Sequence, residues 1–137
     1  MSFKAKMLAF HAIAAATAAL TTPSLADEIS LKYQSYELDT PEAQKFWATE
    51  SNFATPLGVT KPWAMIADVK INGLQDIQIS QLFSSDQCGS QDCPIKVMQG
   101  KTVLTEDLAC DATDFHFISD DGKYLVACDA VLPINPK

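Results

Sequence analysis

Four cysteines, Cys88, Cys93, Cys110 and Cys128, stand behind a segment that reads as a secretory leader, and that combination constrains the fold more than any other feature of the chain. Lys4 and Lys6 form a positive start, an apolar run extends from Met7 to Leu20, and Ser24-Leu25-Ala26 supplies a small-x-small cleavage signal before Asp27-Glu28. That order predicts a signal peptide over residues 1–26. The apolar run is shorter than the ~20 residues that span a bilayer. No cysteine follows the cleavage point, so lipid attachment there is not expected, and no second long apolar segment occurs. The exported part, 27–137, is expected to be a single domain, periplasmic or secreted, with no membrane span.

An even cysteine count in an oxidising compartment reads as a disulfide framework. A redox dithiol would favour two intervening residues, and Cys88 and Cys93 have four. A zinc site would want tighter Cys or His pairs, and His116 is the sole histidine after the leader, so no metal is expected. Four cysteines allow three pairings. Proximity in sequence favours Cys88–Cys93, with Gly89 free to turn, and Cys110–Cys128, which would tie the entry of the last hairpin to its exit strand.

Loss of the leader takes two lysines and no acid, leaving eight lysines against seventeen carboxylates, a charge of −9. There is no arginine. Such a surface lacks the bidentate group that grips phosphate and is repelled by nucleic acid and by anionic membranes. If charge selects a partner, that partner is cationic; otherwise the charge serves solubility.

The remaining pattern predicts an α+β, mainly β fold: an antiparallel meander with one N-terminal helix packed on it, stapled by disulfides. Ile29, Leu31 and Tyr33 alternate as a first strand. Thr40-Pro41-Glu42 starts a helix running to about Asn52, with Ala43, Phe46, Trp47 and Phe53 on its apolar face. Alternating runs on either side of Asn72-Gly73 predict a hairpin. Further hairpins are expected around Gln99-Gly100-Lys101 and Asp120-Asp121-Gly122. The carboxylate pairs Glu106-Asp107 and Asp120-Asp121 read as solvated turns.

The run Asp68-Val-Lys-Ile-Asn-Gly-Leu-Gln-Asp76, a strand, and then Cys88-Gly-Ser-Gln-Asp-Cys93 resembles a group of exported bacterial proteins. Those carry an Asp-x-Asn-Gly-Asp-Gly-x-x-Asp hairpin and a Cys-Gly-Ser-Gly-Gly-Cys staple. The resemblance covers about thirty residues and implies a hairpin and a staple. In calcium-loop versions of the hairpin the third position supplies an oxygen, but here it is Lys70, whose ammonium repels a hard cation.

Two functional classes follow. The first is a non-enzymatic binding or inhibitor module, a build similar to that of small acidic periplasmic proteins that block cationic lysozymes. Asp86 and Asp92 on the stapled loop are its candidate partner-binding residues. The second is a small hydrolase-like enzyme using His116, with Asp114 to orient it. No Gly-x-Ser-x-Gly, cofactor motif or metal-ligand pair accompanies that histidine, so no catalytic or cofactor-binding residue is assigned.

Overall fold

Three glycines at positive φ close the hairpins on which the molecule is built: Gly73 at 81°, Gly100 at 57° and Gly122 at 70°. The computed structural model describes residues 29–50 and 61–135. The predicted leader, Phe53 and most of the connector that follows lie outside the described residues, and the helix expected to reach about Asn52 already ends at Trp47, with Ala48 as its C-cap.

Strands β1 (Ile29–Ser30) and β2 (Gln34–Glu37) precede the helix α1 (Pro41–Trp47). Then come β3 (Trp63–Ile71), β4 (Leu74–Phe83), β5 (Asp92–Gln99) and β6 (Thr102–Cys110). A short 3-10 turn (Thr113–Phe115) leads to β7 (His116–Ile118), β8 (Tyr124–Ala127) and β9 (Ala130–Pro133).

The fold is mainly β with one helix among the described residues, as the sequence predicts, but the strands form two antiparallel sheets rather than one. The larger runs β2-β3-β4-β5-β6 and the smaller β1-β7-β8-β9. The single first strand expected through Ile29, Leu31 and Tyr33 is instead two: Ile29 pairs with Ile118 in the small sheet, and Gln34 pairs with Ile66 in the large one. Residues 31–33 carry the chain from one sheet to the other. Glu106 and Asp107 lie within β6, opposite Lys96 and Ile95, and not in a turn.

Alternation along each strand explains why the large sheet is covered on both faces. Val69, Ile71, Ile77, Ile79, Ile95, Val97 and Ala109 point to one side and pack with Ile118, Leu125, Ala127, Leu132 and Ile134 of the small sheet. Ala64, Ile66, Leu82 and Met98 point to the other side and meet Leu38, Ala43, Phe46 and Trp47 around the helix. The helix is started as predicted: Thr40 Oγ1 accepts from the Ala43 amide at 3.3 Å, and Pro41 takes the first helical position. Gly122 serves packing as well as turning, since a Cβ there would stand 2.6 Å from Ile71 Cγ2.

Both expected disulfides are present, Cys88–Cys93 with Cα atoms 4.2 Å apart and Cys110–Cys128 with Cα atoms 6.1 Å apart. No helix among the described residues is long and apolar enough to cross a membrane.

Candidate functional site

The β4–β5 connection turns back on itself before β5 begins. Cys88 N donates to Ser84 O at 2.9 Å, Gly89 N donates to Asp92 O at 2.8 Å, and the Cys88–Cys93 bond locks the base of the loop. Asp86 and Asp92 are both exposed on this segment. Beside it lies a groove of about 250 Å³ lined by Trp47, Glu50, Leu82, Gln87, Pro94, Glu106, Asp107 and Leu108. The stapled segment therefore forms part of the wall through Gln87 and Pro94, while Asp86 and Asp92 stand outside it. Leu108 is 53% exposed although apolar, which leaves its side chain free for contact.

The floor of this end of the molecule is organised by Lys96. Its ammonium donates to Phe46 O at 2.9 Å, satisfying a carbonyl at the end of α1, and lies 4.2 Å from the centroid of the Trp47 ring. It also stands 3.7 Å from Glu50 and 3.8 Å from Glu106. Trp47 is pinned from beneath, its Nε1–H donating to Ser80 Oγ at 2.8 Å in a buried bond. One lysine against Glu50, Glu106 and Asp107 leaves the groove anionic; Pro94 and Leu108 supply its accessible apolar surface, while Trp47 and Leu82 are buried beneath it.

The opposite end of the helix-bearing face is of another character. Two adjoining grooves of about 430 and 580 Å³ share Lys45, Asp68 and Gln78, and their walls include Lys32, Lys70 and Lys101. Lys45 Nζ donates to Gln78 Oε1 at 2.5 Å, and Gln78 Nε2 donates to Asp68 Oδ1 at 2.6 Å. Asp68, at the first position of the calcium-loop pattern, is thus a paired mid-strand residue in register with Gln78. The four lysines share these walls with Glu42 and Asp76, so the charge here is mixed.

No known family model matches the chain. Comparison with curated proteins and with solved structures likewise finds no match. The candidate sites rest on their own geometry.

His116 is 3% exposed and sits at the head of β7, between the sheets. Its Nε2 lies 2.8 Å from Cys110 O and its Nδ1 lies 3.0 Å from Tyr33 Oη. A carbonyl can only accept, so Nε2 carries the proton and Tyr33 donates to Nδ1. Burial holds the His116 pKa below that of a free imidazole, opposed in part by the bond to Cys110, and burial pushes the Tyr33 hydroxyl up. Asp114, the expected partner, is exposed on the 3-10 turn. With both ring nitrogens engaged elsewhere, the structure does not bring the Asp114–His116 pair together.

Gln81 continues the buried polar seam. Its Nε2 donates to Ala109 O and Cys110 O, each at 2.9 Å, and approaches Cys93 O at 3.4 Å. Its Oε1 is buried without a partner. In the sequence Tyr33 and Trp47 stand out only as strand and helix-face residues, and Gln81, Lys96 and Glu50 were not singled out. For Lys96 a signal was available, a lysine set inside the apolar stretch 94–98; Gln81 gave none, since β4 already carries Gln75, Asp76, Gln78 and Ser80.

Proposed function

We propose that the protein is a small acidic module of the cell envelope or its surroundings that acts by binding a cationic protein, and that the groove beside the stapled loop receives that partner. The observation that carries this reading is the groove's composition: Glu50, Glu106 and Asp107 stand beside the accessible apolar surface of Pro94 and Leu108. Lysine and arginine side chains are amphipathic, with an apolar stem and a charged head, and such a surface accommodates both parts. The disulfide preorganises the adjoining loop, which lowers the entropic cost of binding. Two disulfides agree with export into an oxidising compartment.

Lysozyme is the first cationic partner to test, by biolayer interferometry across a salt series. Association is expected to slow as the Debye length falls from ~10 Å at 0.1 M to ~3 Å at 1 M ionic strength. Glu106→Gln with Asp107→Asn should weaken binding more than Asp86→Asn with Asp92→Asn, because the first pair lines the groove and the second flanks it. A hydrolytic activity lost in His116→Ala would favour the enzyme reading and overturn this one. So would a partner whose binding ignores salt.

A further inference from the structure

Besides the groove, the fold assembles a second chemical cluster. The ligand atoms of Cys110, His116 and Cys128 lie within 4.8 Å of one another. We propose that opening the Cys110–Cys128 disulfide converts this cluster into a three-donor site for a thiophilic cation, Zn²⁺ or Cu⁺, so that cross-link and metal site are alternative states of the same residues.

The geometry supports the conversion. His116 Nε2 is already 3.6 Å from Cys110 Sγ. With zinc–nitrogen and zinc–sulfur bonds near 2.0 and 2.3 Å, a tetrahedral ion sets neighbouring nitrogen and sulfur ligands about 3.6 Å apart and two sulfurs about 3.8 Å apart. The nitrogen–sulfur spacing therefore already fits, and the ring has only to turn Nε2 from Cys110 O, 2.8 Å away, so that its lone pair meets the ion. The sulfurs must separate from about 2.05 Å in a disulfide, a change within reach of side-chain rotation. Soft thiolates with an imidazole select Zn²⁺ and Cu⁺ over hard cations.

The surroundings resemble those of a metal-ligating histidine. Such a ligand usually donates its second ring N–H to a fixed partner. Here Tyr33 Oη, 3.0 Å from Nδ1, is in place for that role. The proton now on Nε2 and bonded to Cys110 O would reside on Nδ1, and the tyrosine hydroxyl would turn from donor to acceptor. Cys110 and Cys128 are half-buried, so a small thiol can reach the bond. Cys128 also holds φ at +56° in the β8–β9 turn, a left-handed conformation that is costly for a residue with a side chain. Cys88–Cys93 has no third donor in an equivalent cluster among the described residues.

The chemistry balances with a thiol reductant. Two reductant thiols cleave the Cys110–Cys128 bond through a mixed disulfide, leaving two protein thiols and one reductant disulfide. A divalent cation then replaces two thiol protons, which pass to solvent, and takes the imidazole nitrogen as its third ligand.

Titration of the full protein with Co²⁺, before and after mild reduction, tests the proposal. Cys88→Ser with Cys93→Ser removes the other thiols. One equivalent of Co²⁺ should bind only after reduction, with thiolate-to-cobalt absorption that Zn²⁺ abolishes. His116→Ala should weaken Zn²⁺ at least about 10-fold, and Tyr33→Phe should weaken it by about 10-fold through loss of the outer partner. Unaltered affinity in His116→Ala would overturn the proposal. Absence of stoichiometric binding, or loss of the native far-UV circular dichroism on reduction, would overturn it equally. If the double serine variant does not fold, the same comparison between reduced wild type and its His116→Ala form decides.

Discussion

The two disulfides occupy different physical settings, although β5 and β6 bring them close. Cys88–Cys93 closes a loop of sequence separation 5 at the surface, and outside the sheet ladders a backbone bond from Asp111 N to Gln91 O, at 3.0 Å, ties it to a residue remote in sequence. Cys110–Cys128 spans a separation of 18 and joins the last strand of the large sheet to the turn between β8 and β9 of the small one. The first shapes a surface and the second holds two layers together. The difference teaches that cysteine spacing reports which residues meet, whereas the elements at either end decide what the bond does.

The largest effect should come from breaking the interlayer bond. Cys110→Ser with Cys128→Ser is expected to lower unfolding free energy by about 3 kcal/mol, from loop-closure entropy at this separation. Urea melts under oxidising conditions measure it. Cys88→Ser with Cys93→Ser should cost about 2 kcal/mol by the same relation and leave the fold intact. If the short staple proves the costlier one to lose, the assignment of layer-holding to Cys110–Cys128 is wrong.

A smaller effect belongs to the histidine beside the interlayer bond. Burial depresses the His116 pKa in the folded state, so its neutral form is the one the fold favours. Below about pH 6.5 the unfolded chain binds a proton that the folded chain refuses. The stability contribution is therefore complete above pH 6.5 and is lost as pH falls toward the depressed folded value. Denaturant midpoints between pH 7.5 and 5 should show this loss, and His116→Gln should flatten the profile. Tyr33→Phe removes the donor to Nδ1 and should cost about 1 kcal/mol at pH 7.5. The smallest effect is expected at the other staple, where Asp86→Asn with Asp92→Asn should change stability by no more than about 0.5 kcal/mol, both residues being exposed.

The parts of this molecule legible in its sequence were those set by local chemistry. Asn72-Gly73, Gly100 and Gly122 announced their turns because positive φ leaves few residue choices. Thr40-Pro41 announced the helix, and cysteine proximity gave both pairings. What stayed hidden depends on contacts remote in sequence. Tyr33 and His116 are 83 residues apart, and Lys96 reaches Phe46 across 50. Alternation assigns residues to two faces but does not say which strands share a sheet, so the division into two layers was not readable. Strand β9 escaped because Ala130–Pro133 is short and ends in proline. The groove drew on Glu50, Glu106 and Asp107, whose charges look like ordinary solvated residues until β5, β6 and the helix end bring them together.

The meeting of β6 and β9 has a consequence for the protein's behaviour at high concentration. These are the terminal strands of their sheets, and Thr105 Oγ1 donates to Pro133 O across the gap. Free strand edges are templates on which a neighbouring chain can add a strand and begin a fibre. Here the outer strand of one layer carries Glu106 and Asp107, and that of the other ends in a proline with no N–H to offer. A strand added to β6 or to the end of β9 would meet like charge or a missing donor, so these two of the four sheet margins are poor templates for a growing ribbon.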